Sequence, residues 1–497
     1  MLRTIRLTIA ILFFILITLL FLDFTGTLHA WFGWLAKIQF LPAVLALNVG
    51  VVLLLVALTL VCGRVYCSVI CPLGVFQDIV SWFSAKRKKN RFRYSPALKG
   101  LRYGVLGVFV LAIIAGLNSF VVLLAPYSAY GRIVSSFLAP LYQWGNNGLA
   151  YLAERADSYA FYQTEVWMKS LPTLIIAAVT LVVLIVLAWR GGRTYCNTIC
   201  PVGTVLGFLS KFSLLKPVID TAKCNGCGLC ARNCKASCIN AKAHEIDYSR
   251  CVACMDCIGK CKQGAITYTR RKPAAATMQE AGAGAEKVNS ARRAFFSTSA
   301  LLATTAVLKA QEKVVDGGLA TIEDKKIPNR ATAITPPGSL SARNLASHCT
   351  ACQLCVSVCP NQVLRPSSNL MKLMQPEASY ERGYCRPECT KCSEVCPAGA
   401  IQPITKAEKS SIQVGHAVWI KENCICITDK MECGNCERHC PVGAIQMVSS
   451  DPKDEKSIKI PVVNDERCIG CGACENLCPS RPFSAIYVEG HGVHRTI

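Results

Sequence analysis

No CxxCH stands anywhere in the 497 residues, the apolar runs hold no pair of histidines, and there is neither a Walker loop nor a strand-bounded GxGxxG. These absences exclude attached haem, a membrane haem, P-loop nucleotide hydrolysis and a Rossmann dinucleotide site. Acid is scarce as well: 31 Asp and Glu face 54 Lys and Arg, a formal charge of +23, and charged residues make up only 17% of a chain that is 52% hydrophobic. That balance is too apolar for a wholly soluble basic protein, which puts membrane ahead of nucleic acid as the meaning of the charge. Cysteine is plentiful, at 31 residues. A chain this long needs no disulfide scaffold for want of a core, so disulfides are not the first explanation.

The cysteines divide the chain. Only Cys62, Cys67, Cys71, Cys196 and Cys200 precede residue 220. In that first part Leu7 to Leu22, Leu41 to Val61, Val105 to Ala125 and Leu171 to Trp189 are uncharged apolar runs, each about the ~20 residues a membrane helix needs, and they predict four spans. The alternative for the first run is a cleaved signal peptide. Lys86, Arg87, Lys88, Lys89, Arg91, Arg93, Lys99 and Arg102 follow the second run with no acid among them, so this side is expected to be cytoplasmic. Much of the +23 is then a record of topology, and nucleic acid is not expected as a partner.

Gly63 to Gly74 and Gly192 to Gly203 share the pattern G-R-x-Y-C-x-x-I-C-P-x-G. The i, i+4 spacing would put Cys67 with Cys71, and Cys196 with Cys200, on one helical face, so that four thiols from two pseudo-equivalent sites meet at one metal or redox centre. The alternatives are buried small apolar residues or a redox-active thiol pair.

After Asp220 the spacing becomes that of cluster ligands. Cys224, Cys227, Cys230 and Cys234, then Cys251, Cys254, Cys257 and Cys261, repeat the run that holds two 4Fe-4S clusters in bacterial-type ferredoxins, although Lys235 and Lys262 replace the usual trailing Pro. Three thiolates on one loop reach three corners of a cubane, and the fourth ligates the neighbouring cluster. Cys224, Cys227 and Cys230 would therefore share a site with Cys261, and Cys251, Cys254 and Cys257 with Cys234. Zinc is the alternative, but structural zinc pairs stand further apart. Four more motifs follow: Cys349, Cys352, Cys355 and Cys359; Cys385, Cys389, Cys392 and Cys396; Cys433, Cys436 and Cys440 with either Cys424 or Cys426; and Cys468, Cys471, Cys474 and Cys478. Six motifs imply six clusters, and a chain so built, without an evident substrate pocket, reads as an electron wire.

Residues 271–290 form a linker, and Arg292-Arg293-Ala294-Phe295-Phe296 ahead of the mildly apolar Ser297 to Leu308 resembles an internal twin-arginine export signal, the alternative being a basic linker and short helix. The expected domains are a membrane domain over 1–215, a cytoplasmic two-cluster ferredoxin over 216–270, a linker with an optional fifth anchor over 271–340, and a four-cluster polyferredoxin over 341–497. The fold class is thus a membrane α-helical bundle with α+β bacterial-type ferredoxin domains.

These features resemble a known pair. The first 270 residues are similar to NapH-type membrane ferredoxins, with CxxxCP elements at helix ends and a two-cluster ferredoxin behind them. From Arg292 onward the chain resembles NapG-type polyferredoxins, including Pro336-Pro337-Gly338 before one motif and Gly415-His416-Ala417-Val418 before another. The resemblance implies a fusion of two subunits acting as a quinol dehydrogenase in a bacterial inner membrane, drawing on the quinone pool and delivering electrons to a periplasmic reductase or cytochrome. It also implies that the outer motifs share ligands, Cys349, Cys352 and Cys355 with Cys478, and Cys468, Cys471 and Cys474 with Cys359. A quinol site needs a proton acceptor, for which Asp23 and His29, beside Trp31 and Trp34, are the candidates; an ordinary interfacial belt is the alternative. Two rival functions are a redox sensor or maturation factor working through the CxxxCP thiols, and a donor whose clusters all face the cytoplasm.

Overall fold

The computed structural model describes residues 2–87, 92–270, 323–454 and 457–497, together with the short pairing of Val315–Asp316 with Ala320–Thr321. The twin-arginine stretch around Arg292 lies outside the described residues. Among the described residues, helix α1 (Leu2–Leu22) is one of two long and apolar enough to cross a membrane, and Leu171–Gly191 is the other. Each has 21 residues, a length of about 30 Å at 1.5 Å per residue. Both expose large apolar side chains along one side, such as Ile5, Leu12 and Leu19 on the first and Val179, Val182 and Val186 on the second.

The expectation of four continuous spans is corrected at two places. Leu41 to Val61 breaks into Phe40–Leu45 and α2 (Val49–Cys62), because Leu47 turns to a positive φ of 51° and Asn48 caps the new helix, its side-chain oxygen accepting from Val51 N at 3.2 Å. Val105 to Ala125 breaks at Gly116, φ 71°, between Lys99–Ile114 and Asn118–Leu124. The second of these pieces meets Pro126–Arg155 at a 75° bend, so counting that bent pair as a span gives three.

The two repeats fold alike. After α2, Gly63 (φ 68°) leads into the one-turn α3 (Val65–Val69) and then α4 (Pro72–Arg87). After α5 (Leu171–Gly191), Gly192 (φ 66°) leads into α6 (Thr194–Thr198) and α7 (Pro201–Ser210). In both, Pro starts the second helix, where its missing N–H costs nothing, and the preceding Cys stands at the cap. Cys200 Sγ accepts from Gly203 N at 3.3 Å.

Behind the second repeat, strand β1 (Leu215–Ile219) pairs antiparallel with β2 (Ile266–Arg270), closing a small unit around the hairpin of Ile239–Asn240 with Glu245–Ile246. The C-terminal unit repeats this plan: β3 (Ile412–Trp419) pairs with β4 (Ile486–Thr496) around the hairpin of Ile445–Ser449 with Lys459–Val463. A third hairpin, Leu364–Pro366 with Pro376–Ala378, lies between the first two motifs of that unit. The unit begins before residue 341, which corrects the expected boundary: Lys326 N donates to Pro482 O at 2.8 Å, and Arg330 Nε to Val488 O at 2.8 Å.

The two ferredoxin-like units cap opposite ends of α1. At its start Arg3 Nε meets Asp256 Oδ1 at 2.9 Å. Beyond its end Lys391 Nζ donates to Thr25 O at 2.7 Å, and Lys169 Nζ to Val356 O at 3.1 Å. Ile17, Leu20 and Phe21 of α1 share one buried core with Leu354 and Val358 of the C-terminal unit.

Candidate iron-sulfur cradles and a quinol pocket

Most of the CxxC loops turn through left-handed residues that bring their thiols to one side: Ala253 and Met255 at φ 48° and 61°, Ala351 and Gln353 at 49° and 73°, Gly470 and Gly472 at 72° and 79°. In the first unit Cys234, Cys251, Cys254 and Cys257 line a cavity of about 380 Å³, and Cys238 lines it with them. Cys224, Cys227 and Cys230 share the other loop, turned by Gly226 and Gly228, and Cys261 closes the helix Asp256–Lys260 next to it.

The C-terminal unit overturns the pairing of outer motifs. Cys349, Cys352 and Cys355 line a cavity of about 370 Å³ with Cys396, not Cys478. Cys385, Cys389 and Cys392 line one of about 690 Å³ with Cys359, and Cys471 reaches its edge. Cys433, Cys436 and Cys478 line a third, of about 370 Å³, together with both Cys424 and Cys426. Cys440 lies close enough to Cys468 and Cys471 that, after burial, its charge helps push those thiols up. Partners are therefore sequence neighbours. The reason is topological: one hairpin and one antiparallel closure join consecutive motifs into a unit, so the short helix bearing the fourth Cys crosses only to the adjoining loop.

The donor sets fit cubane clusters. Backbone N–H groups point at sulfur in two of the cradles and at Cys440: Ala351 N to Cys349, Ile401 N to Cys396, Ala444 N to Cys440 and Ala485 N to Cys478, at 3.2 to 3.4 Å. Such bonds favour thiolate and tune cluster potential. Among the described residues no three His, Cys, Asp or Glu side chains are spaced to hold a single metal ion.

Between the two units the CxxxCP elements face each other. Arg193 Nη1 donates to Cys67 O at 2.6 Å and Arg64 Nη2 to Cys196 O at 3.3 Å, each repeat's arginine reaching the other's cysteine. Asp78 answers Arg193 at 2.8 Å and also meets Arg6 and Lys235, both at 3.4 Å. Cys67, Cys71, Cys196 and Cys200 are all buried. Neither arginine was singled out in the sequence, although each holds the same position of a legible repeat.

Asp23 and His29, the proposed proton acceptors, do come together: His29 Nδ1 lies 3.1 Å from Asp23 Oδ2. Burial pushes the Asp23 carboxyl up, but hydrogen bonds from His29, Thr25 and Gly26 N–H outweigh it and hold the group well below the usual carboxylate range. Asp23 lines a cavity of about 690 Å³ with Leu19, Thr25, Tyr142, Asn146 and Tyr162. The floor of this cavity touches the C-terminal unit, because Thr25 is the residue that accepts from Lys391, the neighbour of Cys392.

Known proteins agree with the cluster chemistry. A family described as 4Fe-4S binding domain matches residues 44–90 and 171–219, and one described as 4Fe-4S dicluster domain matches 425–481. The methylamine utilization ferredoxin-type protein MauM of Paracoccus denitrificans is 31% identical over 175 residues, 32% of this chain and 73% of its own length. The chain belongs to the ferredoxin-type 4Fe-4S proteins. This ferredoxin-type chain is also 28% identical over 240 residues to the ferredoxin-type protein NapH of Haemophilus influenzae, 46% of the chain and 70% of the relative. With NapF of Escherichia coli K12 it shares 27% over 162 residues, 32% of the chain and 89% of the relative. Over the matched relatives the coverage of their own length runs from 59% to 89%. No solved structure matches. Iron-sulfur electron transfer is thus the chemistry of this ferredoxin-type protein.

Proposed function

We propose that this chain is an inner-membrane quinol dehydrogenase in which a fused polyferredoxin receives the electrons directly, through six 4Fe-4S clusters in three two-cluster units. The observation that carries the reading is Asp23, backed by His29, on the wall of a cavity whose other wall residue Thr25 is hydrogen-bonded to the helix bearing Cys392. Quinol in this cavity lies against Asp23, whose ionised carboxylate is held by hydrogen bonds from Thr25, Gly26, Leu28 and His29 and orients the imidazole. The departing proton goes to His29, whose Nε2 has no protein partner and whose imidazolium the Asp23 carboxylate stabilises. Oxidation to quinone releases two protons to the pair and then to solvent, and two electrons that leave one at a time. Bound clusters supply one-electron acceptance. The chain's own residues hold the thiolates, exclude water around them and set their spacing.

Two units capping opposite ends of a roughly 30 Å helix support a bilayer between them, with the 216–270 unit on the cytoplasmic side, where the basic loop lies, and the C-terminal unit on the periplasmic side. The NapG-like fusion and the use of Arg292-Arg293 as an export signal belong to this reading. The acceptor is then a periplasmic reductase or cytochrome. A reporter fused after residue 340 tests sidedness: activity confined to the cytoplasm would overturn it. Anaerobic membranes given a quinol should bleach the cluster absorbance of the parent chain, and no bleaching by quinol in a chain that dithionite does reduce would remove quinol as donor.

A further inference from the structure

We propose that Lys169, carried into the C-terminal unit by the loop ahead of α5, is the charge that sets the potentials of two clusters from outside that unit, the one held by Cys349, Cys352, Cys355 and Cys396 and the one held by Cys359, Cys385, Cys389 and Cys392. The inference rests on these two cradles holding clusters and does not involve quinol.

The loop is built to place this lysine. Residues 163–168 run without helix or turn, and alternate side chains of an extended segment share a face. Glu165, Trp167 and Lys169 all turn to the C-terminal unit, whereas Met168 between the last two is left 48% exposed. Glu165 Oε2 accepts from Arg382 Nη1 at 3.1 Å, and the same guanidinium lies 4.6 Å from the centre of the Trp167 ring. Trp167 Nε1 donates to Gln362 Oε1, and Gln362 Nε2 donates in return to Glu165 O at 3.1 Å. At the start of the loop Asn147, on the helix Ala139–Arg155, binds Thr164 O and Thr164 N, each at 2.8 Å. The third side chain of the face then reaches inward, and Lys169 Nζ donates to Val356 O at 3.1 Å.

Val356 belongs to the short helix Leu354–Val358, which joins the two cradles. Cys355 on this helix lines the first cradle, and Cys359 just beyond it lines the second. One ammonium therefore stands beside both ligand sets. Burial pushes its pKa down, and the charges of Cys359 and then of Cys355 oppose that. Among the described residues Lys169 has no carboxylate partner, and it is the one cation hydrogen-bonded to the segment 349–359. A buried ammonium without an anion is costly, so the thiolates of the two cradles are its counter-charge. The second cradle has a lysine from its own unit as well: Lys409, buried, donates to Arg386 O and Cys389 O.

A site that accepts an electron becomes more negative by one charge, and a fixed ammonium beside it favours that state. Lys169 thus raises both potentials, which makes these cradles the readier acceptors on the membrane-facing side of the unit. A unit charge about 10 Å away, at an effective dielectric of about 20, changes such an equilibrium roughly tenfold. The competing role, a lysine that only caps the end of a short helix, predicts a loss of stability with no change of potential.

The test is an EPR-monitored redox titration of the full-length chain, purified anaerobically in detergent, for the parent, Lys169→Gln, Lys169→Met and Lys169→Arg. Cys349→Ser and Cys385→Ser mark which signals belong to the two cradles. The uncharged variants should keep the parent's iron and move both marked midpoints to more negative values, by about 59 mV for a tenfold change in a one-electron couple. The other signals should hold their midpoints, and Lys169→Arg should stay near the parent. Marked midpoints that do not move overturn the proposal, and so does an equal fall in Lys169→Arg, which assigns the effect to packing. Whichever uncharged variant accumulates is read in this way. If neither does, Arg382→Ala, which loosens the loop from outside the cradles, takes their place with the same expected and overturning results. Marker variants that lose no iron remove the clusters and the proposal together, a result distinct from unmoved midpoints in a fully loaded chain. No arm uses quinol, so the quinol reading stands or falls separately.

Discussion

Cys238 Sγ lies 3.5 Å from Cys234 Sγ, inside the cradle that Cys234 helps to form. The position four residues past the last cysteine of a motif is Ala265, Ala400 and Ala444 in three other motifs of the same chain, so a methyl elsewhere is here a thiol. An S–H donated to a ligand sulfur raises cluster potential. Cys238→Ala is therefore expected to keep its iron and to move one cluster to a more negative midpoint in an EPR-monitored titration. An unmoved midpoint would mean that the thiol only fills space.

The pairing of neighbouring motifs predicts which variants silence the same signal. Cys349→Ser and Cys396→Ser should alter one cluster spectrum and leave the one altered by Cys478→Ser intact. If Cys349→Ser and Cys478→Ser instead affect a common spectrum, the nested arrangement implied by family resemblance is restored.

Asp23→Asn and His29→Ala should each slow quinol-driven reduction of the clusters by roughly 10²- to 10⁴-fold, the usual worth of a general base. Dithionite should reduce both variants as it does the parent, and iron content should not change. A quinol rate within a few-fold of the parent would return the pair to an interfacial role.

Glu475, 2% exposed beside Cys474, is paired with Arg330 and accepts from Val488 N at 2.8 Å, which ties the last motif to β4. Glu475→Ala leaves a buried guanidinium without its anion, a loss of about 3 to 5 kcal/mol. Denaturant titration of the full chain should detect it in the C-terminal unit, and Arg330→Met/Glu475→Met should recover much of the loss.

His494, which shares a 2.8 Å hydrogen bond with Thr335 Oγ1, has its pKa pushed down to about 4 by burial and then by the charge of His491. The unfolded chain takes up this proton first, near pH 6.5. The stability held by neutral His494 is therefore complete above that value and is lost as pH falls toward 4, on the order of 2 to 3 kcal/mol. His494→Gln should flatten this part of the stability profile relative to the parent.

The ligand residues were legible because a cluster takes three of its four thiolates from one tight loop, so Cys251, Cys254 and Cys257 declare themselves by spacing alone. The repeat Gly63 to Gly74 and Gly192 to Gly203 was legible for a similar reason, as both copies obey the same local rules of turn, cap and Pro-initiated helix. Apolar runs were a weaker guide. Leu41 to Val61 satisfies a hydropathy count yet breaks at Leu47 and Asn48, since composition does not register one left-handed residue followed by a capping side chain.

By itself the sequence determined the chemistry, because iron-sulfur ligation depends on residue type and short spacing, and both survive in one dimension. Only the tertiary structure decided which fourth cysteine completes each cradle of the C-terminal unit, that Asp23 leans on His29 beside a cavity at the far end of α1, and that Arg64 and Arg193 exchange partners across the two repeats. These are contacts between segments up to hundreds of residues apart, set by antiparallel closure and by the need of buried charge for a partner, and no local pattern encodes them.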